Sequence, residues 1–237
     1  MLTLSLLAKT ENNMSYQCEF CGKTFAREST IVAHMCEPKR RRAEQHERGV
    51  QIGLQAYLQF YAMMNRSSKA RTFDDFAASP YYRAFVKFGR YCVDTHVVNP
   101  ARMIDWLLKQ QKKIDQWCSD RVYTEYLIYY LQAESVADAL ARSVEYSMDW
   151  AEKNNARAQD CLRYGSTNAT CYAITTGRIS PWVIYNSESG QQWLSQLNSE
   201  QLQIVWPYIN SDVWQRKFAD APEDIEYARD ILKQAGW

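Results

Sequence analysis

Cys18 and Cys21 stand two residues apart, His34 and Cys36 one apart, and twelve residues separate the two pairs. Spacing of this kind is seldom accidental. Two thiolates on a tight hairpin knuckle and an imidazole on a facing helix can close a tetrahedron around zinc. A unit of about 20 residues cannot bury enough apolar area to offset its chain entropy. Phe25 and Ile31 are its only core candidates, so one structural Zn2+ would supply the folding free energy. The competing reading is a cluster of reduced cysteines without a metal.

The fourth ligand needs an argument of its own. Side chains two positions apart point to different sides of a helix. His34 and Cys36 can therefore share an ion only if the helix unwinds directly after His34. Pro38 is expected to cause this by pushing Glu37 away from helical angles. The next histidine is His46, too far along to replace Cys36. The ligand set is thus Cys18, Cys21, His34 and Cys36. The run Cys21-Gly22-Lys23-Thr24-Phe25, continuing to Ile31 and His34, resembles the C2H2 zinc-finger family through its third ligand. That resemblance implies a ββα unit with one zinc. The chain departs from it at the fourth ligand, where the family has a histidine three to five residues after the first.

By the same resemblance, the helix positions that touch bases in DNA-reading fingers fall on Arg27, Ser29, Thr30 and Ala33. Of these only Arg27 has the fork that suits guanine, and one finger spans about three base pairs. Lys39, Arg40, Arg41 and Arg42 follow at once, with Arg48 beyond. Four such cations can neutralise phosphates in a salt-dependent way. They can equally be a solvated basic start to a helix, with Glu44 and Glu47 as partners. A protein-binding finger, similar to small ubiquitin-binding modules, is the sharper rival.

The remainder reads as helix. Eight glycines and six prolines in 237 residues are about half the usual share, which favours long helices over turn-rich sheet. Apolar residues recur at spacings of three and four from Val50 to Met64. Ser79-Pro80 and Asn99-Pro100 both read as a cap followed by a first-turn proline. Ser119 opens a further helix, and residues 135–153 are strongly amphipathic. Residues 166–180 are ambiguous between strand and helix, and four short helices close the chain from Gln191 to Gln234. Aromatics from Tyr81 to Tyr91 alternate with Arg83, Lys87 and Arg90, which reads either as base stacking over a cationic groove or as core against solvent.

The expected fold is therefore mainly α: a leader at 1–15, a ββα zinc finger at 16–38, a basic linker or helix start at 39–48, and an all-helical or nearly all-helical domain at 49–237. Basic and acidic residues number 8 and 6 over residues 1–48, but 4 and 8 over 180–237. Seven cysteines, an odd number, with no paired spacing outside the cluster, point to a reducing, cytoplasmic setting. No stretch nears the 18 or so apolar residues of a membrane span, and 2–8 lacks the marks of a signal peptide.

Catalytic signatures are scarce: no P-loop, no G-x-G-x-x-G, no G-x-S-x-G, no H-E-x-x-H. Neither a catalytic residue nor a small-molecule substrate is expected; His96 and Arg178 are the places an unrecognised site would occupy. Residues 34–41, 177–183 and 212–218 resemble proteins of large T4-like tailed bacteriophages. The helix order after residue 50 resembles the helicase-loader family of those phages, which lacks a finger. That resemblance implies an all-helical fold and a role in DNA metabolism. The expectation is a non-catalytic, nucleic-acid-binding accessory protein with Arg27 and Lys39 to Arg42 on single-stranded, duplex or forked DNA and a protein partner on the helical body. The alternative is an adaptor that binds protein through the finger or the acidic C-terminal region.

Overall fold

The computed structural model describes residues 15–64 and 70–237; the leader expected at 1–15 lies outside the described residues up to position 14. The mainly α expectation holds. The only strands among the described residues are β1, Tyr16–Gln17, and β2, Thr24–Phe25, antiparallel with Tyr16 opposite Phe25. The chain divides into two compact units between Val93 and Asp94. The finger thus shares a unit with the next few helices.

In the first unit α1 (Glu28–Ala33) is followed by α2 (Glu37–Ala43), α3 (Arg48–Met64), α4 (Phe73–Ala78) and α5, which begins at Tyr82 and ends at Asp94. A helix α4 of six residues persists because Thr72 and Asp75 form a reciprocal capping box. The core joins Tyr57 of α3, Phe76 of α4 and Tyr82 and Phe85 of α5, with Tyr57 and Phe76 ring centroids 5.2 Å apart. Glycine decides how close α3 and α5 come. A Cβ on Gly89 would lie 1.9 Å from the Gly49 carbonyl oxygen, so the backbones touch where neither helix has a side chain. The glycines that weaken α3 locally are what permit this packing.

The second unit contains α6 (Pro100–Lys109), α7 (Asp120–Ala133), α8 (Val136–Asn154), α9 (Cys161–Tyr164), α10 (Thr167–Thr175), α11 (Pro181–Asn186), α12 (Glu188–Ser195), α13 (Ser199–Ile209), α14 (Ser211–Ala219) and α15 (Pro222–Gln234). The ambiguous 166–180 segment is helical over α10, where Thr170, Cys171, Ala173 and Ile174 are buried; tertiary burial overrides the β preference of its threonines. Asn99 caps α6 from a left-handed conformation (φ 50°) by accepting from the Arg102 N–H. Ser135 caps α8 by accepting from that of Asp138. Trp117, Trp182, Trp193 and Trp214 are among the largest fully buried side chains, and Trp182 meets Trp214 edge-on at 6.1 Å.

One polar cluster is sealed inside this unit. The Glu134 side chain is fully buried and accepts from both terminal nitrogens of Arg142, one at 2.8 Å. It also accepts from the Ser180 hydroxyl at 3.0 Å. Arg142 donates in turn to the Gly177 carbonyl, and the Ser143 hydroxyl accepts from the Ser180 N–H. Such a pair is tolerated because its polar atoms are matched. Cys92, Cys161 and Cys171 are buried too. Burial pushes the Cys161 thiol up to about 11, against a smaller opposing hydrogen bond from Ser147. It behaves as a small apolar group.

Candidate metal centre

The local chain path explains how four donors converge. Gly22 adopts φ 71°, a left-handed angle that glycine takes without strain. This lets the chain reverse after Cys21. The Gly22 N–H donates to the Cys18 carbonyl and the Cys18 N–H to the Lys23 carbonyl, each at 2.8 Å. The knuckle aims backbone donors at sulfur. Burial works to raise the Cys18 thiol, but the N–H groups of Cys21 and Phe20 and the neighbouring thiols outweigh it and hold it below its ordinary value. At Cys21 the Lys23 N–H acts in the same direction, yet burial and the two adjacent sulfurs prevail and raise the thiol. A cation placed among these sulfurs would favour their thiolate forms.

The other two donors come from a helix that stops in time. α1 ends at Ala33, and His34 is already extended at φ −69°, ψ 119°, which is the unwinding the H-x-C spacing demands. The cause is not the one expected. Pro38 does not push Glu37 out of helix: Glu37 opens α2, Cys36 is its N-cap, and Pro38 sits in the first turn. A missing N–H costs nothing there, so the proline starts the second helix rather than ending the first. The His34 ring packs on Phe25, centroids 4.7 Å apart.

Cys18 Sγ lies 3.9 Å from Cys36 Sγ, and Cys21 Sγ lies 3.2 Å from His34 Nε2. All four donor atoms fall within 4.8 Å of one another. A tetrahedral ion with sulfur at ~2.3 Å and nitrogen at ~2.0 Å requires edges of roughly 3.8 Å between sulfurs and roughly 3.5 Å from sulfur to nitrogen. The four side chains could therefore hold a single metal ion. The finger has little else to hold it, since α1 buries no residue and Cys18 is the one buried residue between 16 and 36.

The basic run lies on α2, immediately after the last donor, and its four members differ. Lys39 donates to the His34 carbonyl at 3.2 Å. Arg41 is mostly covered, with 16% of its side chain exposed. It pairs with Glu37, donates to the Ala77 carbonyl, and lies 4.4 Å over the Tyr82 ring. Arg40, half exposed, bridges Glu37 and Glu44. Arg42, also half exposed, meets Asp74 at 2.7 Å. Arg27 is exposed at the N-cap of α1, and Ser29, Thr30 and Ala33 are exposed along that helix. The Glu37 pairing at i+3 and i+4 is readable in the sequence. Asp74, Ala77 and Tyr82 arrive from more than 30 residues away, and no local pattern announces them.

The residues considered for an unrecognised catalytic site both lie in the second unit. His96 is exposed in a left-handed conformation, its Nδ1 3.2 Å from the Asp94 carbonyl. Arg178 pairs with Asp149 and lies 5.0 Å over the Tyr146 ring. Among the described residues no helix is long and apolar enough to cross a membrane. Compared with known proteins, the chain matches no family model, no curated protein and no solved structure. The zinc-finger and phage resemblances thus rest on the quoted residues alone.

Proposed function

We propose that this is a non-catalytic accessory protein of the cytoplasm whose zinc-folded N-terminal unit binds nucleic acid by its phosphate backbone. Zinc is the ion that three thiolates and one imidazole at tetrahedral spacing select. The observation that carries the nucleic-acid reading is charge segregation. Over residues 15–64 and 70–93 there are 11 lysines and arginines against 7 acids; over 94–237 there are 14 against 19. Positive charge concentrated on the unit with the finger is the electrostatic footprint expected of phosphate binding. Arg40 and Arg42 keep about half their side chains in solvent, and surface ion pairs of this type exchange partners at small cost.

The test is a salt titration of zinc-loaded full-length protein against labelled single-stranded, duplex and forked DNA. Binding that weakens linearly in a log–log plot against salt is expected. Absence of binding to all three at low salt would refute the reading.

An adaptor that binds protein through the finger is the second reading, and one observation favours it. Val32 and Met35 are 72% and 62% exposed, and Met35 edges a shallow hollow with Phe25 and Ala33. A pull-down whose prey survives nuclease treatment and is lost on Val32→Asp/Met35→Asp would support it.

A further inference from the structure

Arg83, Lys87 and Arg90 recur at i, i+4 and i+7 along α5, so they share one face of that helix. The opposite face carries Tyr82, Phe85 and Phe88, all buried. Phe85 and Phe88, the aromatics between the cations, are core and offer no ring to a base; Tyr81, ahead of the helix, is 50% exposed. The cations are free to face outward as a row. Two acids align this row with α2: Arg83 reaches Glu37 at 3.4 Å, and Arg90 reaches Glu44 at 3.3 Å. The same two carboxylates pair with Arg40. Arg90 also meets Glu47 at 3.1 Å.

Four cations on two helices thus form one strip. Arg83 is 80% exposed, Arg90 51% and Arg40 54%. Lys87 is exposed and has no carboxylate within ion-pair distance among the described residues. Three carboxylates serve this strip, and Glu37 is also engaged by Arg41, so positive charge is in excess. From position 83 to 90 the helix advances about 10 Å, the axial length of roughly three nucleotides on one duplex strand. Guanidinium groups bind phosphate in a two-point fork, and exposed carboxylate partners hold them only weakly.

We propose that Arg40, Arg83, Lys87 and Arg90 form the phosphate track of this unit, contacting the nucleic-acid backbone without base stacking, while Arg41 fastens α2 in place and contacts nothing outside. This rests on the nucleic-acid reading above.

The test uses the full-length, zinc-loaded chain. Arg83→Gln/Lys87→Gln/Arg90→Gln should lower the log–log salt slope by about 2 to 3 and weaken binding near ~0.1 M salt on the order of a hundredfold. Lys87→Glu alone, which breaks no ion pair, should weaken binding with its thermal transition unchanged. Arg83→Lys/Arg90→Lys should restore the slope. An abasic strand should bind as tightly as the corresponding normal one. If the wild-type chain binds and the triple variant keeps its slope, the track is wrong while the nucleic-acid reading stands; loss of binding to the abasic strand also refutes a phosphate-only contact. If the wild-type chain binds no nucleic acid at all, the reading beneath the track has failed as well.

Discussion

The two units of this chain are held together by different physics. All eight tryptophans lie between residues 106 and 237, in the second unit, where at least four are fully buried. The first unit has no tryptophan among its described residues; it has the metal-competent cluster, seven of the chain's eight phenylalanines with six tyrosines, and a mesh of ion pairs about Glu37 and Glu44. One region is stabilised by burial throughout; the other joins a buried aromatic core about Tyr57, Phe76 and Phe85 to a segment, residues 16–36, that depends on what its side chains can bind. A region of the second sort can respond to a metal and, on the function proposed above, to polyanions. The acidic, well-packed region has less to gain from either.

The largest effect that can break this contrast is metal removal. Apparent zinc-binding free energies in finger peptides run to about 10–16 kcal/mol, more than residues 16–36 can gain from packing. Chelation, or Cys18→Ser, should unfold that segment and open it to protease, while tryptophan fluorescence stays native. Coincident loss of both signals would mean the two regions are not independent. Cys36→Ala should lower zinc stoichiometry or affinity and His46→Ala should not, with cobalt absorbance as the readout. Equal loss in both would reassign the fourth ligand.

The second region is tested from inside. Glu134→Ala leaves Arg142 without its bidentate partner, and removing one member of a buried pair costs about 3–5 kcal/mol. Replacing both, as Glu134→Leu/Arg142→Met, should recover most of that, because apolar residues of similar volume substitute for buried pairs with little loss. The urea midpoint of tryptophan fluorescence should fall in the first variant and return in the second. Bound metal should be unchanged in both.

Gly89→Ala acts on the first region at a point where no ligand intervenes. Its Cβ would press on the Gly49 carbonyl oxygen at 1.9 Å and the Gly53 nitrogen at 2.8 Å, so α3 and α5 must separate. Overpacking of this kind costs about 1–3 kcal/mol, to be read from amide exchange along both helices. A neutral outcome would mean that the approach of these backbones is not needed for the unit.

How much of this was legible in the sequence depended on range. The four metal donors follow from spacing alone, because knuckle, short helix and H-x-C pair lie within one stretch of 19 residues, 18–36. Asn99-Pro100 announced its helix through a cap that acts within three residues, and residues 135–153 announced theirs through amphipathic spacing. What was not legible is long-range. The shared unit of finger and early helices depends on Arg41 finding Tyr82 and on Gly49 meeting Gly89, partners that no periodicity encodes. Pro38 is instructive because the outcome was right and the cause was not. The helix does break after His34, yet proline earns its place by opening α2.

The smallest predicted effect separates two neighbours in one basic run. Arg42 is 48% exposed and its partner Asp74 79%, so the pair is screened and Arg42→Ala should change stability by no more than about 0.5 kcal/mol. Arg41 has the same charge one residue earlier, but 16% of its side chain is exposed. It combines the Glu37 pair, the Ala77 carbonyl and the Tyr82 ring face. Its removal strips a partner from a part-buried carbonyl and an ion pair together, a loss of about 1–3 kcal/mol. Amide exchange in α2 and α4 should therefore accelerate in Arg41→Ala and stay near wild type in Arg42→Ala. Nucleic-acid binding measured on folded protein should fall no further in Arg41→Ala than in Arg42→Ala, because Arg41 is mostly covered whereas Arg42, although outside the track, is half exposed. If the two variants behave alike in exchange, the run is one solvated charge cluster and the fastening of α2 lies elsewhere.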